Sequence, residues 1–78
     1  MIAARHVHDI VIDQNSIQLR IDGRIIKIPL EMVSKKLMSA SEFERNLYKV
    51  SPSGYGIHWP LIDEDLSVDA LMKAAAAL

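Results

Sequence analysis

At 78 residues with no cysteine and a formal charge of −1, the chain has room for one small core and no disulfide or thiolate–zinc framework. Half of the residues are apolar but only 5% are aromatic, so the core must be built from Ile, Leu, Val and Met. The charge balance does not supply the basic field of a phosphate-backbone binder, and no apolar run approaches the roughly 20 residues of a membrane span.

A single domain over residues 1–78 is expected. A staple-free core of this size leaves modest stability, so it leans on a partner protein or on a second copy of itself. Arg5, His6, His8 and Asp9 interrupt the apolar run at the N-terminus, which argues against a signal peptide and makes a cytoplasmic setting the default expectation.

In chain order, Val7 to Asp13 is β-branched and fits a strand. Asp13-Gln14-Asn15-Ser16 is a turn cluster. Ile17, Leu19 and Ile21 alternate with Gln18 and Arg20. Asp22-Gly23 is a strong two-residue hairpin signal, and Arg24 to Ile28 is the returning strand. That loop sets Leu19 opposite Ile26, Ile17 opposite Ile28 and Gln18 opposite Lys27. A tight first hairpin places Asp9 opposite Arg20 and Ile10 opposite Leu19. The reading is a three-stranded antiparallel meander with Ile10, Ile12, Ile17, Leu19, Ile26 and Ile28 inward. Val7, Val11 and Ile25 then fall on the outer face beside Asp9, Arg20 and Lys27.

Pro29 ends the third strand and can open a helix. The spacing of Leu30, Val33 and Leu37 predicts a helix from about Leu30 to Met38. Ser39 with Glu42, or Ser41 with Glu44, can form a capping box for a second helix through Phe43, Leu47 and Val50. Ser51-Pro52-Ser53-Gly54 stops it. A fourth strand starts at Tyr55 or Gly56 and runs to Leu61, with Ile57 and Trp59 on one face and His58 on the other. Asp63-Glu64-Asp65 reads as a turn. Ser67 is the expected N-cap of a last helix with Asp69 in its first turn and Val68, Leu71, Met72 and Ala75 as its apolar stripe. The fold class is α+β, with the meander, two short helices, a fourth strand and a C-terminal helix packed on one sheet face.

Few residues offer chemistry. His6 and His8 share a strand face but lack a third metal ligand. His58 beside carboxylates could form an acid–base pair. Reaching Asp63 from it needs a bend after Pro60, and the plainer reading has Asp63 and Asp65 bonding turn amides and the helix start. The acidic run lacks the spacing of a calcium loop, and the chain has no phosphate loop, nucleophile elbow or helical H-E-x-x-H. Trp59 without basic neighbours is core or interface rather than a stacking platform for bases. No catalytic residue, cofactor or metal is expected.

The segments Asp22-Gly23-Arg24, Pro29-Leu30, Gly56-Ile57-His58-Trp59-Pro60, Asp63-Glu64-Asp65 and Leu66-Ser67, in that order, resemble the pattern of the bacterial domain of unknown function 2442 family. Glu31-Met32-Val33-Ser34 stands where that family commonly carries a Trp-Phe-Pro type of segment. The resemblance implies a small α+β fold without an established enzyme activity, and a gene arrangement like that of a toxin–antitoxin pair with this family as the antitoxin. The expectation is therefore a non-enzymatic protein-binding module. Its candidate partner-binding or signature residues are His58, Trp59, Pro60, Asp63, Glu64 and Asp65, and the acidic run would meet a basic patch on a small protein partner. The alternatives are a small DNA-binding autoregulator, and an enzyme or metal site around His58 and the acidic residues.

Overall fold

The structure, a computed structural model, describes residues 5–78. Its described strands form two antiparallel three-stranded sheets. The first holds β1 (Val7–Ile12), β2 (Ser16–Ile21) and β3 (Arg24–Pro29) in sequence order; the second holds β4 (Lys49–Val50), β5 (Gly56–Trp59) and β6 (Glu64–Ser67). Three short helices complete it: α1 (Lys35–Ser39), α2 (Glu42–Asn46) and α3 (Val68–Ala76).

The meander forms for the local reasons its sequence gives. Asp22 and Gly23 both take positive φ, 50° and 85°, as a type I′ turn requires. The register that follows is Leu19 against Ile26, Ile17 against Ile28 and Gln18 against Lys27, as expected. Asp13 closes the first hairpin by accepting the backbone N–H groups of Asn15 and Ser16 at 2.8 and 2.7 Å.

The first hairpin corrects the expected register. His8, not Asp9, faces Arg20, and pairing resumes at Val11 against Gln18. Asp9 and Ile10 together oppose Leu19, which is a β-bulge, with Asp9 at φ 57°. The extra residue flips the side-chain parity on one side of the bulge. Val7 therefore packs against the core with Ile12 instead of facing outward, and Ile10 is half-buried. The Asp9–Arg20 ion pair survives without the register, at 3.2 Å.

The expected helix over Leu30–Met38 is broken in two. A 3-10 turn covers Leu30–Met32, and Ser34 starts α1 by accepting the N–H of Leu37. Ser41, not Ser39, caps α2, through a reciprocal capping box with Glu44. α2 ends at Asn46, so Val50 lies in β4 rather than in a helix. The acidic run is also corrected: Glu64 and Asp65 lie in β6, which continues through Ser67, and the turn occupies Pro60 to Asp63. The α+β class and the N-terminal meander are as expected, and the expected fourth strand is the central strand of a second sheet.

α3 packs against β3 of the first sheet and β6 of the second, and so joins them. Ser67 caps it by accepting the N–H of Ala70. The shared core includes Ile17, Leu19, Ile28, Leu30, Leu37, Ile57, Trp59, Val68 and Leu71, all at most 1% exposed. No described helix is long and apolar enough to cross a membrane.

Candidate functional site

The signature residues sit on β5, β6 and the turn between them. The strand register lines up Lys49, His58 and Asp65 as one cross-strand row. Ile57 and Trp59, of opposite parity, are buried. His58 Nδ1 lies 2.8 Å from Asp65 Oδ1, so the histidine's carboxylate partner is Asp65 and not Asp63. The pairing needs no bend after Pro60, because β6 returns antiparallel beside β5. Both side chains are open to solvent, 42% and 75% exposed, so the pair contributes little stability. A neutral ring that donates from Nδ1 carries its lone pair on Nε2, which can accept a hydrogen bond from an incoming group.

The other acidic residues do different things. Glu64 Oε2 accepts the hydroxyl proton of the buried Ser34 at 2.6 Å, and Glu64 Oε1 accepts the N–H of Asp65. This carboxylate therefore docks β6 onto α1. Asp63 takes φ 50°, and its backbone carbonyl accepts from the Lys36 ammonium at 3.0 Å. Pro60 is exposed and begins the turn. The expectation that Asp63 and Asp65 bond turn amides is replaced by these contacts, and the three carboxylates do not form one patch.

Trp59 is fully buried. Its indole N–H donates to the carbonyl of Arg45 at 2.9 Å, satisfying a group in the last turn of α2 that has no helical partner. Its ring lies 6.2 Å from that of Tyr48. Trp59 is thus a core anchor that fixes α2, and no partner can touch it without opening the core.

At the opposite end of the sequence, Asp22 gathers the chain around the hairpin. It accepts the His6 N–H at 2.9 Å and a guanidinium N–H of Arg5 at 3.1 Å, while Arg5 also reaches Asp69 on α3. The His6 amide and then the Arg5 guanidinium hold the Asp22 carboxyl below its ordinary value. The Asn15 and Ser16 amides do the same for Asp13. His6 and His8 are exposed, and no group of three or more His, Cys, Asp or Glu among the described residues could hold a metal ion.

Sequence reasoning missed one surface. An open groove of about 420 Å³ runs between β3 and the C-terminal half of α3. Ile21, Ile25 and Ile26 line it from the sheet; Met72 and Ala75 line it from the helix, and Leu78 from just beyond it; Arg24 and Lys27 complete its walls. Ile25 is 60% exposed. Its sequence signal was the apolar Ile25 among the residues assigned to the meander's outer face. Its helical wall comes from residues about fifty positions away.

A family model described as protein of unknown function (DUF2442) matches residues 7–77. No curated protein and no solved structure matches the chain.

Proposed function

This chain belongs to the DUF2442 family, and from that premise we propose that it is a small non-enzymatic protein-binding module, the antitoxin-like member of a two-protein pair. The observation that carries the binding half is the groove between β3 and α3. An apolar channel with two cationic side chains, left open beside a strand edge on so small a domain, has the chemistry of a protein contact. The antitoxin half rests on the gene arrangement that the family resemblance implies. The solvent-facing row of Lys49, His58 and Asp65 carries a cation and a carboxylate, groups of the kind that steer encounter and orientation rather than affinity.

The test is co-expression of the chain with the product of the gene adjacent to its own. A soluble stoichiometric complex, together with relief of growth arrest caused by the neighbour alone, supports the reading. A bare, monodisperse chain with no effect on the neighbour's toxicity or solubility removes it.

A further inference from the structure

We propose that the open edge of β3 accepts an extended segment of a partner protein as a fourth strand of the first sheet, and that this segment alternates apolar with acidic residues. The inference rests on the binding-module reading and specifies the partner's chemistry at the same groove.

The geometry begins at the hairpin. Ile21 and Arg24 flank its two-residue turn and face each other. In such a hairpin the flanking pair exchanges both of its backbone hydrogen bonds, and every second pair along the ladder does the same. Arg24, Ile26 and Ile28 therefore spend their N–H and C=O groups on β2. Ile25 and Lys27 direct theirs away from it, and neither bonds to another described backbone segment outside the sheet. β3 ends its sheet, so this edge presents two donors and two acceptors in strand geometry.

The two sides of the edge differ. On one lies the groove floor, with Ile21, Ile26 and Met72. On the other, Ile25 and Lys27, both exposed, form the outer wall of the groove. An added strand would place successive side chains alternately on these two sides. Those entering the groove must be apolar. Those beside Lys27 are best acidic, since neither Arg24 nor Lys27 is in an ion pair among the described residues. Opposite charges across neighbouring strands are favourable and like charges are not. Strand addition of this kind takes its affinity from the main chain and its specificity from alternate side chains.

The test uses the whole chain, isotope-labelled, and two capped synthetic peptides, one alternating valine with glutamate and one alternating valine with lysine. The glutamate peptide is expected to shift the amide signals of Ile25 and Lys27 and to bind about fivefold tighter than the lysine peptide at low salt. Lys27→Glu is expected to invert that order. Ile25→Pro removes one outward N–H without touching the bonds to β2, and is expected to weaken both peptides by about fivefold while the chain stays folded. Equal affinity for the two wild-type titrations, or shifts confined to residues away from β3 and α3, overturns the proposal. So does a concentration-dependent dimer that Ile25→Pro abolishes, since the occupant is then a second copy. If Lys27→Val makes the chain self-associate while the peptides do not bind, the lysine only keeps edges apart and the proposal falls. An adjacent-gene partner retained by both Ile25→Pro and Lys27→Glu leaves the binding module standing but moves its contact elsewhere. Peptide binding at β3 with no such partner has the opposite meaning: the edge proposal stands and the module reading fails.

Discussion

Replacing Gly54 with alanine is expected to destabilise the chain far more than the same replacement at Gly23, although both glycines sit at positive φ. Their angles are 74° and 85°. That shared conformation costs an alanine about 1–2 kcal/mol in either place. The surroundings differ. A Cβ on Gly23 meets nothing within 4 Å, whereas one on Gly54 overlaps the Arg5 carbonyl oxygen and lies 2.8 Å from its carbonyl carbon. The Arg5 segment must then move. It is held by its N–H to the Ser53 carbonyl at 2.9 Å and by ion pairs to Asp22 and Asp69. Losing the backbone bond costs about 1 kcal/mol. The two ion pairs are solvent-exposed and add little to this. Gly54→Ala should therefore cost about 3 kcal/mol and Gly23→Ala about 1. At about 4–8 °C per kcal/mol for a domain this small, the melting temperatures should fall by about 12–24 °C and 4–8 °C. Urea and thermal melts followed by circular dichroism give both values, and amide exchange at Arg5 reports the displaced segment. Equal losses at the two sites, or an unchanged Arg5 amide in Gly54→Ala, would refute the reasoning.

Two further outcomes test the frame around the candidate site. Ser34→Ala removes both the cap on Leu37 and the donor to Glu64, and is expected to cost about 2–3 kcal/mol in urea melts, whereas Glu64→Gln, which keeps an acceptor, costs less than half as much. Stability should also fall in acid. Asp13 and Asp22 are held below their ordinary value in the folded chain, by the Asn15 amide first and by the His6 amide first. Their contribution is therefore complete above the unfolded carboxylate value and is lost as pH falls through the lower folded values. Urea midpoints should hold from neutral pH down to about pH 4 and then decline, with a smaller decline in Asp22→Asn; a midpoint flat to about pH 2 would show that these contacts add no stability.

The three carboxylates of Asp63-Glu64-Asp65 show how an apparent charge run dissolves in three dimensions. On a turn they would share one surface. On a strand, neighbours alternate, so Asp65 meets His58 on one side and Glu64 reaches Ser34 on the other. Trp59 follows the same logic. Its strand parity was plain from its spacing to Ile57, but its hydrogen bond to Arg45 depends on where α2 ends.

The amino-acid sequence by itself determined the features whose causes lie within a few residues. Asp22-Gly23 set the hairpin and with it the β2–β3 register, because only one pairing follows from a two-residue loop. Ser41 with Glu44, and Ser67, set two helix starts through bonds to their own first turns. What the tertiary structure decided were the features whose causes lie far along the chain. The bulge at Asp9 lets both Val7 and Ile12 reach a core they could not share in regular register. Ser34, which caps α1 where the expected helix is broken, is also tied by its hydroxyl to Glu64, thirty residues on. Val50 and Glu64-Asp65 become strand because β5 needs pairing on both edges. The groove between β3 and α3 exists only once the last helix has packed across both sheets. Such choices are governed by packing and backbone pairing between distant segments, which outweigh local propensity and leave little trace in spacing alone.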